Sequence, residues 1–349
     1  MKRCDGIIER VGLEVFHVAF VCAAVSLLSG CKSPVPAIGN LEQMPPRKIA
    51  ASLTLPPESE SGPVIPGLSQ GAVPQGLVLL PEKNRMLTSH YFDDGRPSCI
   101  VSIDWKSGKT TGTFQLIEPD GQHHTGHVGG IAADESNLWI ASDALLYRGN
   151  LSAITTNPGG GVFQTLEKFA TEAAHEAAFC SVFDGLVWAG EFALEDKYPT
   201  PPSHHLVARD GTTRNGWVCG YNPRKGFDHP ERVLSIPDRT QGILATDNHI
   251  FLSLSYGRRN RSSIEIYNNP FSEEPHKTVQ SLDGSDVPLW FLDGKNHVRS
   301  IDLPPMSENM AADDGKLLIL FESGAKKFRW FSRKPIDQVI LLKLEELKR

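Results

Sequence analysis

The stretch Gly129-Gly130-Ile131-Ala132-Ala133-Asp134-Glu135-Ser136-Asn137-Leu138-Trp139-Ile140-Ala141-Ser142 contains the pattern that decides the fold. Small residues open it, and an apolar run, a polar turn and a second apolar run follow. Turn-forming residues between two apolar runs predict a β-hairpin. One hairpin cannot form a stable core alone, so the pattern matters because it recurs.

The same arrangement occurs five times, at intervals of roughly 50–65 residues, which is typical of propeller blades. The five openings are Gln75-Gly76-Leu77, Gly129-Gly130-Ile131, Ala177-Ala178-Phe179, Gln241-Gly242-Ile243 and Glu308-Asn309-Met310. The second strand of each unit is predicted at Arg85–Ser89, Leu138–Ser142, Leu186–Glu191, Ile250–Ser255 and Leu317–Glu322.

These repeats predict an all-β fold, a β-propeller of five blades, or of six if a hairpin lies in one of the long insertions. The last unit lacks an outer strand after Gln338–Leu344. We expect an N-terminal strand, Lys48–Leu55, to add to that blade and close the ring, because closure removes an open sheet edge. Residues 56–74, rich in Pro, Gly and Ser, are predicted to be a loose segment.

The hairpin rhythm and the Gly-Gly-Ile and Gln-Gly-Ile openings distantly resemble secreted propellers of the lactonase-like and gluconolactonase-like families. The resemblance spans residues 75–345. Gluconolactonase-like proteins carry a metal-binding Glu at the first opening, where this chain has Gln75. The sequence therefore predicts neither a metal nor a cofactor, and the His123-His124-Thr125-Gly126-His127 cluster is interpreted as solvated loop histidines.

The net charge limits the kinds of partner, and the cysteine content bears on whether the fold contains a disulfide. The 35 Lys and Arg against 41 Asp and Glu give a net charge of −6, which argues against a nucleic-acid partner. Cys99, Cys180 and Cys219 lie in the body of the chain. Buried free thiols are favoured there, with a Cys180–Cys219 disulfide as the alternative.

The N-terminal segment combines basic residues, an apolar run over residues 15–28 and the box Leu28-Ser29-Gly30-Cys31. It resembles a bacterial lipoprotein signal, with a plain signal peptide or a membrane anchor as alternatives. The resemblance implies cleavage after residue 30, lipidation of Cys31 with diacylglycerol and palmitate, and membrane attachment through that lipid. Lys32 in place of Asp implies the outer membrane or the cell surface. The predicted domains are a signal peptide at 1–30, a flexible tether at 31–47 and a single propeller at 48–349.

Polar residues at matched ends of the hairpins predict a site at one mouth of the central channel, where such residues need partners or water. The ends of the second strands supply His90, Asp143, Glu191, Ser255, Tyr256 and Glu322. The ligand-binding candidates are Gln75, His127, His175, Gln241, Tyr256, Arg258 and Lys326. The candidate catalytic carboxylates are Glu176, Glu191, Glu308 and Glu322.

Two functions are open at this point. In the first, an exported propeller binds a ligand or partner at the channel mouth, such as an anionic small molecule attracted by the Arg and Lys residues, or a cell-envelope polymer. In the second, it is a hydrolase of the lactonase or glycosidase type that uses central carboxylates as acid and base.

Overall fold

Strands make up almost all of the regular structure. The computed structural model describes residues 38–47, 55–57, 59–171, 177–194, 196–332 and 335–344. In chain order the strands are β1 (Glu60–Val64), β2 (Val73–Leu80), β3 (Arg85–Tyr91), β4 (Cys99–Asp104), β5 (Thr110–Ile117), β6 (Val128–Ala133), β7 (Asn137–Ser142), β8 (Leu145–Asn150), β9 (Gly161–Ala170), β10 (Ala177–Phe183), β11 (Leu186–Glu191), β12 (Leu206–Val207), β13 (Thr213–Arg214), β14 (Gly216–Tyr221), β15 (Arg232–Ile236), β16 (Thr240–Ala245), β17 (His249–Leu254), β18 (Ser262–Asn268), β19 (Lys277–Gln280), β20 (Asp286–Phe291), β21 (His297–Leu303), β22 (Ser307–Asp313), β23 (Lys316–Phe321) and β24 (Gln338–Lys343). The short helices are α1 (Ser152–Thr155) and α2 (Lys326–Arg329), with 3-10 turns at Leu68–Gln70, Pro81–Lys83, Pro202–His204 and Pro270–Ser272.

The strands of the described residues pair into five antiparallel groups of four, here called blades 1 to 5 in chain order. Blades 1 and 2 are β2–β5 and β6–β9; blade 3 is β10, β11, β14 and β15; blade 4 is β16, β17, β18 and β21; blade 5 is β22, β23, β24 and β1. The innermost strands β2, β6, β10, β16 and β22 each contact two neighbours and so form a closed ring. The chain is therefore a β-propeller, as the hairpin repeats predict.

Closure by an N-terminal strand is confirmed, but the strand is a different segment. β1 pairs with β24 and completes blade 5. Residues 48–54 of the expected strand lie outside the described residues, and β1 lies in the stretch expected to be loose. Composition misleads here because Pro63 is tolerated on an edge strand. A Cβ at Gly62 would lie 2.5 Å from Leu341 Cδ1, so glycine permits the pairing.

Two contacts between blades have no counterpart in the repeat pattern. β9 pairs antiparallel with β8 and parallel with β5, which joins blades 1 and 2 in one eight-stranded sheet. The insertion that carries β19 and β20 leaves blade 4 and pairs with β15 of blade 3 through a parallel register. Both fasten a blade to its neighbour at the outer edge.

Cys99, Cys180 and Cys219 are buried and form no disulfide among the described residues, as favoured from the sequence. Cys180 Sγ lies on β10 and contacts the Gly130 carbonyl of the next blade at 3.5 Å. Among the described residues there is no helix with the length and apolar character needed to cross a bilayer.

Each inner strand carries a β-bulge at the same place, where it pairs with the second strand of its blade. The bulges fall between Pro74 and Leu77, Val128 and Gly130, Ala177 and Phe179, Thr240 and Gly242, and Ser307 and Met310. These are the five openings of the sequence repeat. A bulge inserts an extra residue and re-aims a side chain, so all five strands turn a side chain out of the sheet at one level of the ring.

Glycines beside the bulges permit the inner strands to approach each other. A Cβ on Gly130 would lie 2.7 Å from Phe179 Cα and 2.8 Å from Cys180 N of the next blade. We predict that Gly130→Ala lowers the free energy of unfolding by about 1–3 kcal/mol, because the backbone of blade 3 must move. Gly39→Ala, with no atom within 4 Å of its Cβ, is the control and should change stability by less than about 0.5 kcal/mol. Equal urea midpoints for the two variants would contradict this account of the ring.

Candidate functional site

A cavity of about 560 Å³ lies at one end of the ring, and the bulges supply its floor. The extra residue of each bulge lines it, in blade order Gln75, Gly129, Ala178, Gln241 and Glu308. At the bulge positions, blades 1, 4 and 5 thus contribute long polar side chains, whereas blades 2 and 3 contribute only a glycine and an alanine. The cavity is polar on one side and open on the other.

The residues opposite the bulges form a second ring around the same cavity. They sit where the second strand of each hairpin ends, in blade order Tyr91, Asp143, Phe192, Ser255 and Glu322. In blade 5 both rings contribute a carboxyl group, which brings Glu308 and Glu322 together.

Glu308 and Glu322 form a hydrogen-bonded carboxyl pair. Glu308 is 2% exposed. Gln75 Nε2 donates to Glu322 Oε2 at 3.0 Å and to the Pro74 carbonyl at 2.8 Å, so the amide fixes the outer carboxyl from blade 1.

The two carboxyls differ in acidity. Burial, the neighbouring negative charge and the hydrogen bond raise the pKa of Glu308 well above its usual value. Burial also raises the pKa of Glu322, to about 7, against the lowering effects of Gln75, Lys327, Glu308 and Arg258. Near neutral pH the two carboxyls therefore share one proton, as other pairs of close carboxyls do.

Cationic side chains stand at the rim of the cavity. Lys327 Nζ donates to Tyr91 Oη at 3.0 Å and to Asp93 Oδ1 at 2.8 Å. The Arg258 guanidinium lies over the Phe328 and Phe331 rings, 5.1 and 5.3 Å from their centroids. Both cations are near enough to lower the pKa of Glu322, although neither forms a salt bridge with it among the ion pairs of the described residues.

Aromatic rings form two walls. On one side the Tyr91 and His127 rings are in contact, with centroids 4.3 Å apart and planes tilted by 39°. On the other side Phe192 and Tyr198 meet edge to face at 5.2 Å, and Tyr256 lies 6.3 Å from Phe192. Burial among these neighbours lowers the pKa of His127, and the charge of nearby Asp143 opposes that shift. Part of the residue is nevertheless exposed to solvent.

The structure brings most of the sequence-predicted residues to this cavity. The lining includes Gln75, His127, Gln241, Tyr256, Arg258, Glu308 and Glu322. Lys326 is exposed and does not line the cavity, whereas its neighbour Lys327 does. His175, Glu176 and Cys31 lie outside the described residues.

Glu191 is fully buried and does not line the cavity. Its two carboxylate oxygens meet His204 Nδ1 at 2.9 and 3.0 Å, and one of them accepts from the Trp217 amide at 2.8 Å. The His204 ring stacks on Trp217 at 3.8 Å. Glu191 thus anchors the long loop after β11, and that loop supplies Tyr198 to the cavity wall.

Two cavity residues that sequence reasoning missed lie one position beyond the residues it named. In blade 1 the structure places Tyr91 in the cavity, while His90 is fully buried with its pKa lowered to about 3 by burial. In blade 3 it places Phe192 there instead of Glu191. Counting from Asp143, Ser255 and Glu322 at the equivalent strand ends is the signal that identifies both.

The histidine cluster of residues 123–127 is not one unit. His124 is buried, with Nδ1 3.1 Å from Glu118 Oε1 and Nε2 2.9 Å from Ser142 Oγ. His127 alone lines the cavity. Within the described ranges there is no group of three or more His, Cys, Asp or Glu side chains suited to a metal ion.

The chain is similar in structure to several propeller proteins at very low sequence identity. A glutaminyl cyclase from Myxococcus xanthus matches with a TM-score of 0.42 and 9% identity, over 81% of this chain and 94% of that one. A GH43_1 enzyme from Xanthomonas citri matches with 0.45 and 10%, over 81% and 89%. BamB from Moraxella catarrhalis matches with 0.32 and 8%, over 77% and 84%. No protein-family model matches the sequence, and no curated protein sequence matches it.

The carboxyl pair predicts a specific dependence of stability on pH. Because the folded pKa of each carboxyl exceeds its unfolded value of 4.5, the folded state binds more protons than the unfolded state between about pH 5 and pH 7. The pair therefore makes the free energy of unfolding fall over that range, by up to about 1.4 kcal/mol per pH unit for one proton. Glu308→Gln should become more stable relative to the wild type as the pH rises.

The measurement is urea unfolding at pH 5, 6 and 7 for the wild type, Glu308→Gln and the exposed control Glu135→Gln. The difference between variant and wild type removes the opposite contribution of His90, whose lowered pKa favours the folded state at higher pH. A constant difference between Glu308→Gln and the wild type across the three pH values would contradict the shared proton.

Proposed function

We propose that this propeller is a binding protein whose central cavity holds a small polar ligand over the Glu308–Glu322 pair. The observation that carries the proposal is the pair itself, because two hydrogen-bonded carboxyls form the floor of a cavity of about 560 Å³. A volume of several hundred Å³ with a few convergent polar groups is typical of small-molecule sites. Strongly shifted acidities in a cleft are a further sign of function.

A second cavity, of about 600 Å³, supports this choice by contrast. It lies beside β1, and its ionisable side chains are the exposed Lys106 and Lys109. It has neither a buried ionisable group nor converging side chains from several blades.

Binding can be tested by thermal denaturation with three kinds of probe: neutral disaccharides (cellobiose, maltose, xylobiose and diacetylchitobiose), inorganic phosphate, and spermidine. A ligand that binds only the folded state adds about 2.7 kcal/mol at a hundred times its Kd. We expect at least one kind of probe to raise the Tm. The rise should disappear in Glu308→Ala and Glu322→Ala and remain in Lys326→Ala, which changes an exposed residue outside the lining. No rise with any probe, or a rise unaffected by the two carboxyl variants, would refute binding at this cavity.

A hydrolase is the second candidate, and the acidity of the pair favours it. One carboxyl protonated and the other ionised near neutral pH can act as acid and base. The direct hydrogen bond, however, is shorter than the separation of about 5 Å or more between glycosidase carboxylates. Turnover of p-nitrophenyl glycosides or of a simple lactone that is lost in both Glu308→Gln and Glu322→Gln would favour the hydrolase over the binding protein.

We also propose that the propeller is exported and attached through lipid on Cys31 to the outer membrane or the cell surface. The support is the Leu28-Ser29-Gly30-Cys31 box after an apolar run, followed by Lys32. In this proposal an envelope polymer or its fragments can reach the cavity.

Expression in a Gram-negative host with labelled palmitate tests the anchor. The wild type should incorporate label and sediment with membranes, and Cys31→Ser should lose both, because the thiol carries the lipid. Cys22→Ser is the matched control, since it changes a leader cysteine outside the box. Label that persists in Cys31→Ser would refute lipidation at this residue.

A further inference from the structure

The charges of the central cavity are arranged in layers that disfavour an ionic ligand. The floor holds one shared proton and one negative charge on the Glu308–Glu322 pair. The rim holds Arg258, Lys327 with its ion-pair partner Asp93, and the carboxylate of Asp143. Charges of both signs therefore line the cavity, and an ion of either sign would lie near a like charge. Because like charges in a partly enclosed cavity repel each other, a neutral ligand fits best.

The floor offers donors and acceptors side by side. The protonated carboxyl of the pair donates, its carboxylate partner accepts, and amides do both. The Gln241 side chain lines the cavity and forms no hydrogen bond within the described part of the chain. Alternating donors and acceptors match hydroxyl groups, each of which donates once and accepts twice.

The walls suit the apolar faces of a ring. Tyr91 with His127 forms one platform, and Tyr256 with Phe192 forms another. An aromatic face carries negative charge density that attracts weakly positive C–H groups. Gly129 and Ala178 leave space in the part of the floor across from Glu308, and the volume accommodates about one or two rings.

From these three features we infer that the cavity binds a neutral saccharide unit, with its hydroxyls on Glu308, Glu322 and Gln241 and its ring faces against the aromatic walls. This inference rests on the proposed binding function and names its ligand class. It requires the alternation of donor and acceptor at the floor as well as the aromatic platforms.

Calorimetric titration with the four neutral disaccharides tests the inference on the purified propeller. We expect at least one of them to bind, and inorganic phosphate and spermidine not to bind. Gln241→Ala should weaken that binding by about three- to tenfold, since it removes one or two neutral hydrogen bonds. Because the amide has no hydrogen-bond partner among the residues that the structure describes, this variant should keep the wild-type Tm, and it keeps the test valid if Glu308→Ala is unstable. Lys326→Ala should bind as the wild type does.

Each outcome decides between the two proposals. Binding of phosphate or spermidine alone, abolished in Glu308→Ala, would overturn the saccharide assignment and leave the binding function in place. Disaccharide affinity unchanged in Gln241→Ala would likewise overturn the assigned geometry. Failure of every probe would overturn both.

Discussion

The close approach of the five inner strands around the axis is the constraint on which the rest of the structure depends. A Cβ on Gly76 would lie 2.6 Å from Ile131 N of blade 2, and one on Gly242 would lie 3.0 Å from Asn309 Cα of blade 5. Real Cβ atoms essentially never come within 3.0 Å of a neighbour, so glycine sets how tightly these blades can close. The same junctions carry side-chain hydrogen bonds, from Ser89 Oγ to the Val128 carbonyl at 2.8 Å and between Ser253 and Ser307 Oγ at 2.9 Å.

The bulge beside each of these contacts connects packing to the site. The residue after the extra one packs against the next blade, and the extra residue itself points into the cavity. In blades 1, 2 and 4 the packing position is a glycine, whereas in blades 1, 4 and 5 the cavity position carries a long polar side chain, Gln75, Gln241 or Glu308. One backbone device repeated five times can thus present different chemistry from each blade.

Much of this architecture could be predicted from the sequence because the hairpins are local. The turn residues and apolar runs identify β7 and β11 within one or two residues. The same kind of local pattern marks the outer strands β4 (Cys99–Asp104) and β15 (Arg232–Ile236). The closing strand β1 could not be predicted, because its composition is that of a loop and its pairing partner lies at the far end of the chain. The parallel pairings of β9 and β20 could not be predicted either, since no local pattern encodes a partner in another blade.

The sequence predicts where along the chain the site residues lie better than it predicts which side chains point into the cavity. Glu308 and Glu322 were identifiable because equivalent ends of an antiparallel hairpin adjoin. His90 and Glu191 were assigned to the cavity because they are polar, yet the side-chain period of two turns them into the blade, where Thr88 and His204 contact them. A single residue of offset decides which of two neighbouring side chains meets solvent, and composition cannot resolve it.

The buried carboxyl pair is the feature that packing alone does not explain. Two carboxyls with strongly raised pKa values lower stability at neutral pH, and apolar residues of similar volume at such positions are often more stable. The hydrogen bonds from Glu308 and Gln75 satisfy only part of the acceptor capacity of Glu322, since a carboxylate offers about four lone-pair positions. A hydroxyl placed above the pair would fill that capacity through charge-assisted hydrogen bonds. The chain thus keeps at its axis an arrangement that lowers the stability of the fold at neutral pH, which is the exchange expected at a functional site and agrees with the proposed binding.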